Sequence, residues 1–404
     1  MLNRLIALGL VLGLIVGLAA AATGNAILNA IAQGAAPFGQ AFINAIRMIV
    51  IPLVVSIIFA SVARLGDVKT LGKLGGKTMA FYWLTLIPAI LIGMGVMTLG
   101  LNFVPNVTMP EPGSVTVPQL QSMTDFLVGL IPANPFEAAA NGAILPLIVF
   151  TALFAAAAGT LPEESRSRMI MGAEDISAAL IKLVWWILWL APIGVFGLIA
   201  PATAQMGWGL IQSLAVFIVS VTTALILFVL VVFIPLLWLV GKVQPFAFFK
   251  GIAGAISIAF STTSTAAAIP VSREEATRNI GVSETIADLV IPLGASMYRP
   301  GSALFQGAAI IFLAHVFGVP IALTDAGAIL LATFLVSLTV APVPSSSVVT
   351  MAPALASVGI PVSGLGLMLG IDRIPDMMRS AVNVSGQIAA AACVDKKSFE
   401  GSHN

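Results

Sequence analysis

The sequence predicts an all-α polytopic membrane protein, with eight transmembrane helices and two re-entrant helical hairpins arranged as an inverted repeat. Three observations carry this. First, of 404 residues, 59% are hydrophobic and only 9% charged, against about 25% charged in an average soluble domain; the mean hydropathy is +1.07. Second, the apolar stretches run to bilayer-spanning length without the alternation of a barrel strand. Third, basic residues fall in alternate loops. This composition excludes a soluble multidomain protein, a disordered chain and a nucleic-acid binder relying on a basic patch. A net charge of +1 names no partner, and the single cysteine, Cys393, excludes an intramolecular disulfide framework and a multi-cysteine metal site. No zinc spacing, phosphate loop or Ser–His–Asp arrangement stands out.

Taken in order, the spans are Leu5–Ala22, Ala41–Ala63, Thr78–Val104, Asn141–Gly159, Ala178–Ala200 and Leu210–Val240, then about Ile286–Phe317 and Leu365–Val394. The first, short and ending in alanines, also has the look of a signal peptide. Arg64, Lys69, Lys73 and Lys77 follow span two, Arg166, Arg168 and Lys182 follow span four, Lys242 and Lys250 follow span six, and Lys396 and Lys397 close the chain. The opposite loops, Thr23–Gln40, Asn102–Asn141 and Pro201–Gly209, hold no Lys or Arg. The positive-inside rule therefore predicts both termini in the cytoplasm of a multi-pass plasma-membrane protein, a bacterial inner membrane being the expected host. Asn106-Val107-Thr108 fits a glycosylation acceptor on the outer side.

Two segments do not fit simple spanning. About 246–279 is apolar with a polar centre, Ser261 to Thr265, and charges at both ends. About 327–362 turns at Pro342-Val343-Pro344-Ser345-Ser346-Ser347. A polar tip at membrane depth is tolerated only inside protein or beside a water-filled cavity. Two hairpins entering from opposite faces, each followed by a full span, make the inverted repeat of a secondary transporter that binds at the midplane.

The ionisable residues forced into the bilayer are Arg47, Arg299, Asp372, Arg373, Asp376 and Arg379. Each costs roughly 2.5–3.5 kcal/mol at a helix centre unless paired or hydrated. Arg47, near a span end, can snorkel. Asp372, Asp376, Arg379, Asn383 and Gln387 are spaced 4, 3, 4 and 4, one polar stripe of a helix. The stripe is either a structural ion-pair seam or a ligand site in which Asp376 holds an ammonium and Arg379 grips a carboxylate. In span seven, Pro300 and Gly301 break the helix beside Arg299, freeing backbone groups for ligands.

At these residues the chain resembles the dicarboxylate/amino acid:cation symporter family, the glutamate transporters. The likeness is carried by Ile46-Arg47-Met48-Ile49-Val50-Ile51-Pro52-Leu53, by Ile131-Pro132-Ala133-Asn134-Pro135-Phe136 with Ala140-Asn141-Gly142-Ala143-Ile144-Leu145-Pro146, by Ala191-Pro192-Ile193-Gly194-Val195-Phe196, and by the segment from Leu369 to Gly386. The resemblance implies a homotrimer of elevator-type transporters. A scaffold (1–65 and 141–205) would carry a sliding transport domain (78–104 and 208–396). It implies substrate contacts at Ser264, Thr265, Val343, Asp376, Arg379, Ser380 and Asn383. The partners it implies are a small anionic substrate and the lipid bilayer, with no nucleic acid, no enzyme activity and no cofactor.

The departures from the family's pattern concern sodium. Where the family usually reads Asn-Met-Asp-Gly-Thr, this chain has Tyr298, Arg299, Pro300, Gly301 and Ser302, and an aspartate of the last span is Gln387. Two negative charges are lost and one positive charge is gained, whereas a hard cation wants oxygen ligands with negative charge. Tyr82, Thr85, Ser296, Tyr298, Arg299, Asp372, Arg373 and Gln387 form the expected ion-site or cation-substituting set, with no metal site assigned. The expectation is a transporter of acidic amino acids or dicarboxylates that works without sodium because the Arg299 guanidinium replaces a cation, a proton being the possible coupling ion. The alternatives are a sodium- or proton-coupled dicarboxylate symporter, an anion-conducting channel and a non-transporting paralogue.

Overall fold

The computed structural model describes residues 2–71, 73–105, 128–129, 131–140, 144–322, 325–340 and 345–395, and every regular element among them is helical. Asn106–Thr108, Pro342-Val343-Pro344, Lys396 and Lys397 lie outside the described residues, as does the side chain of Arg47.

The first half comprises α1 (Leu2–Thr23), α2 (Ala26–Gly34), α3 (Ala36–Leu71), α4 (Lys73–Gly100), α5 (Pro135–Ala140), α6 (Ile144–Ala158), α7 (Glu163–Leu188) and α8 (Ala191–Met206). Small residues decide how α1 packs. Gly9, Gly13 and Gly17 recur every fourth residue and share one face. A Cβ on Gly9 would lie 2.2 Å from the Pro192 carbonyl oxygen, and one on Gly17 2.5 Å from Thr203 Cβ. The glycine stripe therefore lets α1 lie directly on the backbone of α8, the close approach that van der Waals packing between apolar helices requires. Alongside them α3 packs against α6, α7 and α8.

The second half begins with α9 (Trp208–Phe228), which runs through a π turn at Val229–Phe233 into α10 (Ile234–Leu239). With α4 extended over Gly75–Phe103, the resulting Trp208–Leu239 segment is one of two helices among the described residues long and apolar enough to cross a bilayer. The next element is bent by 58° between α11 (Pro245–Gly251) and α12 (Ala253–Thr262). Thr263, in the left-handed region at φ 53°, then reverses the chain into α13 (Thr265–Arg278). Ser264 caps α13 by accepting from the Ala267 amide at 3.3 Å. At the other end, the Glu275 carboxylate accepts from the Gly254 and Ala255 amides at 3.1 and 2.8 Å, closing the base of this hairpin.

A broken helix follows, α14 (Glu284–Met297) and α15 (Pro300–Val316), separated by the extended residues Tyr298 and Arg299. Pro300 suits the first position of α15, where no amide partner is needed. The second hairpin consists of α16 (Ala326–Ser337), then α17 (Ser346–Thr350) and α18 (Ala352–Ser357), which return along α16. Last come α19 (Gly364–Ile371) and α20 (Arg373–Val394). α20 is central to this half, with α9, α12, α13, α14 and α15 packed around it, while α4 lies along α15. Outward faces carry large apolar side chains such as Ile15, Leu84, Leu99 and Val219, together with exposed Trp186, Trp189, Trp208 and Trp238. Indole rings of this kind favour the bilayer interface.

Candidate functional site

The polar stripe on α20 is buried, and its members divide into three jobs. Asp372 and Asp376 both pair with Arg379. The guanidinium donates to Asp372 at 2.6 and 3.1 Å and lies 2.8 Å from Asp376 Oδ1, with all three side chains no more than 8% exposed. Phe305 covers the guanidinium, its ring centroid 4.3 Å from the central carbon. Spacings of three and seven residues bring these groups to one face, so a single helix makes its own ion triad.

The next two members hold the helix break. Asn383 Oδ1 accepts from the Gly301 and Ser302 amides at 2.8 and 3.3 Å, and its Nδ2 donates to Ser302 Oγ at 3.0 Å. One turn on, Gln387 Nε2 donates to the Gly294 and Tyr298 carbonyls at 3.3 Å each. Asparagine thus satisfies the first amides of α15, and glutamine the last carbonyls of α14. The two amides and the Tyr298 carbonyl are thereby paired at a buried break, while the Gly294 carbonyl also accepts from the Tyr298 amide at 2.8 Å. Gly301 is needed here, since a Cβ on it would lie 2.6 Å from the Arg379 carbonyl oxygen. On the other side of the break the chain's two tyrosines stack, Tyr82 on Tyr298, with centroids 4.3 Å apart and planes 8° from parallel. Tyr82 Oη donates to the Val290 carbonyl at 2.6 Å, and Thr85 Oγ1 lies 2.7 Å from Tyr298 Oη.

The third job is holding the hairpin tips. Arg373 donates to the Ser261 carbonyl at 3.1 Å and Thr263 Oγ1 at 3.2 Å in the first hairpin. Asp376 Oδ2 accepts from the Ser345 amide at 3.0 Å in the second. Between the tips, the break and α20 lies a small cavity lined by Thr263, Thr265, Arg299, Ser302, Val340, Ser346, Ser347, Asp376, Ser380 and Asn383. The Arg299 guanidinium donates to the Val340 and Ala295 carbonyls. Its Nε, like Thr265 Oγ1, is buried without a hydrogen-bond partner. This wall has one guanidinium, one carboxylate and a set of hydroxyl and amide groups, and it suits a small zwitterion or organic anion.

A family model for the sodium:dicarboxylate symporter family matches residues 2–397. The chain belongs to that family. Among similar proteins, the proton/glutamate-aspartate symporter of Escherichia coli (strain K12) is 32% identical over 376 residues, covering 89% of this chain and 84% of the relative. The proton/sodium-glutamate symport protein of Geobacillus stearothermophilus is 32% identical over 390 residues, covering 93% and 90%. The C4-dicarboxylate transport protein of Bacillus subtilis (strain 168) is 30% identical over 378 residues, covering 90% and 87%. The chain is thus a membrane protein of a symporter family.

Of the sequence-predicted substrate contacts, Thr265, Asp376, Ser380 and Asn383 line the cavity. Ser264 instead caps α13, and Val343 lies outside the described residues. Arg379 is turned to its two carboxylates. In the predicted ion-site set, Arg299 lines the cavity, while Tyr82, Thr85, Tyr298 and Gln387 gather around the break, Asp372 joins the triad and Arg373 holds a tip. Ser296 is exposed, and its hydroxyl donates to the Pro292 carbonyl on its own helix, away from the site. Thr263, Ser302, Val340, Ser346 and Ser347 line the cavity without standing in the predicted contact set. Their signal in the sequence is position: each flanks the break or a hairpin turn.

Proposed function

We propose that this chain is a secondary transporter that moves acidic amino acids, or the related C4-dicarboxylates, across a cell membrane without sodium. The observation that carries the reading is the cavity in which Arg299 and Asp376 face a common space between two hairpin tips, a broken helix and α20. The symporter names of the relatives support the substrate class.

Sodium independence rests on what Arg299 binds. A hard cation at this break would seek oxygen ligands such as backbone carbonyls. Here a tethered guanidinium takes two of them, at Ala295 and Val340. Gln387 brings an amide nitrogen, a donor, to the carbonyls of Gly294 and Tyr298. With two carbonyl pairs already satisfied by nitrogen donors, a sodium ion has little left to gain. Where an ion is coupled to transport, it is a proton.

The elevator motion is supported by how the helices pack. α1, α3, α6, α7 and α8 pack largely among themselves, and so do α4, α9, α12 to α16 and α20. The first group fits a scaffold at 1–65 and 141–205, assembled as a homotrimer with both termini in the cytoplasm. The second fits the moving body at 78–104 and 208–396. The test is uptake of labelled L-aspartate into proteoliposomes with sodium replaced by choline or potassium. Uptake is expected to persist in all three salts and to respond to an imposed pH gradient. A steep sodium requirement defeats the sodium-independent reading.

A further inference from the structure

The site holds two buried guanidinium groups on different elements, and only one of them faces the cavity. Arg379 has both terminal nitrogens on the carboxylates of Asp372 and Asp376 and a ring over its face. Its charge is already met by these two carboxylates, and it does not stand among the residues lining the cavity. Arg299 is in the opposite state. It is 2% exposed and lines the cavity. Its terminal nitrogens meet carbonyl oxygens, which carry no full charge, whereas those of Arg379 meet carboxylates; the Nε of each arginine is without a partner. A guanidinium has five N–H donors, so the fork retains donors and an unneutralised charge. Thr265 Oγ1, also buried in this wall, is unpartnered as well.

We propose that Arg299 contacts the substrate's side-chain carboxylate and sets the preference for it, with the amino group toward Asp376. This rests on the transporter reading above and names the substrate it favours, an amino acid with a carboxylate side chain. Position along α20 sets the orientation. Asn383 grips the amides of Gly301 and Ser302, and Gln387 grips the carbonyl of Gly294, next to the Ala295 carbonyl that anchors Arg299. The Arg299 fork thus belongs to the Asn383–Gln387 end of the helix. Asp376 lies seven residues back from Asn383, about 10 Å along the axis at 1.5 Å per residue, so the carboxylate and the guanidinium enter the shared cavity from different levels of α20. Charge agrees with this. Around the site Arg299, Arg373 and Arg379 stand against Asp372 and Asp376, which leaves one positive charge to meet an amino acid of net charge −1.

The experiment compares binding of L-aspartate and L-asparagine to the purified full-length chain in detergent, by isothermal titration in sodium-free buffer. Wild type is compared with Arg299→Lys and Arg299→Met. Wild type is expected to prefer aspartate by at least tenfold. Arg299→Met should bring the two affinities within about threefold, and Arg299→Lys should fall between, because a point charge replaces a fork. If both affinities fall together and the tenfold preference survives in Arg299→Met, or if Arg299→Lys has the wild-type ratio while Arg299→Met does not fold, Arg299 is structural and the proposal is overturned. If wild type binds neither these amino acids nor succinate, the transporter reading itself fails, a result distinct from an unchanged ratio.

Discussion

The two hairpins meet the same helix and are fastened to it in opposite ways. The first is tied at its base and its tip. At the base Glu275 caps α12, Asn279 Nδ2 donates to the Gly251 carbonyl at 2.6 Å, and Arg273 pairs with Asp288 of α14. At the tip, a cation, Arg373, meets a carbonyl near the C-terminal end of α12, the end of a helix that favours positive charge. The second hairpin has no charged side chain from Ala326 to Ile371. Its tip is held by an anion, Asp376, on an amide, helped by Gln306 Nε2, which donates to the Ser347 carbonyl at 3.0 Å and Thr350 Oγ1 at 3.2 Å. The lesson is one of dependence. The first hairpin has fasteners that do not involve the cavity. The second relies on a carboxylate that also serves the Arg379 triad and lines the cavity, so any event at Asp376 is felt at that tip.

The largest effect should come from Asp376→Ala. It leaves Arg379 with one carboxylate, the Ser345 amide without its acceptor and the cavity without the one carboxylate that lines it among the described residues. Breaking a buried pair typically costs about 3–5 kcal/mol. Thermal unfolding in detergent should show a loss of that order, and amide exchange should quicken across 345–350 while 262–268 keep wild-type rates. Faster exchange at both tips would mean that the hairpins are coupled, and the contrast drawn here would fail. A smaller effect is expected for Glu275→Ala. It uncaps α12 at the base, a loss of about 1 kcal/mol, with exchange faster at 253–256 and aspartate affinity within twofold of wild type. Lost affinity would show that the base of the first hairpin is not independent of the cavity.

What the sequence made legible follows physical reach. The break at Tyr298–Arg299 was legible because proline and glycine act on their own backbone, and the first hairpin turn because five hydroxyl residues interrupt an apolar run. The stripe on α20 was legible because helical spacing alone places Asp372, Asp376, Arg379, Asn383 and Gln387 on one face. Which partner each member takes was not. Arg379 has the same spacing to its own carboxylates whether or not a ligand competes for it, and only the packing of Phe305 above it and of Arg299 across the cavity distinguishes the two arginines. The stacking of Tyr82 on Tyr298 joins α4 to the break, and nothing local to either residue signals it. Spans were least legible where helices are short or bent. α8 and α16 are apolar but shorter than a bilayer crossing, since a helix enclosed by others can stop wherever a glycine, a proline or a hairpin turn ends it.

The smallest effect belongs to Arg373→Ala, and it tests the contrast most sharply. Arg373 is half-buried and makes two hydrogen bonds at distances of 3.1 and 3.2 Å. A hydrogen bond that water can replace contributes about 0.5–1.5 kcal/mol net, and the base of the hairpin stays fastened. Global stability should therefore fall by no more than about 1 kcal/mol, while amide exchange quickens at 262–268 and is unchanged at 345–350, the mirror image of Asp376→Ala. Arg373→Lys should restore much of the protection, because a lysine ammonium still satisfies a carbonyl. If Arg373→Ala instead loosens 345–350, the cation acts through the net charge around Asp376 and Arg379, and the two tips are governed by one electrostatic balance and not by two separate latches.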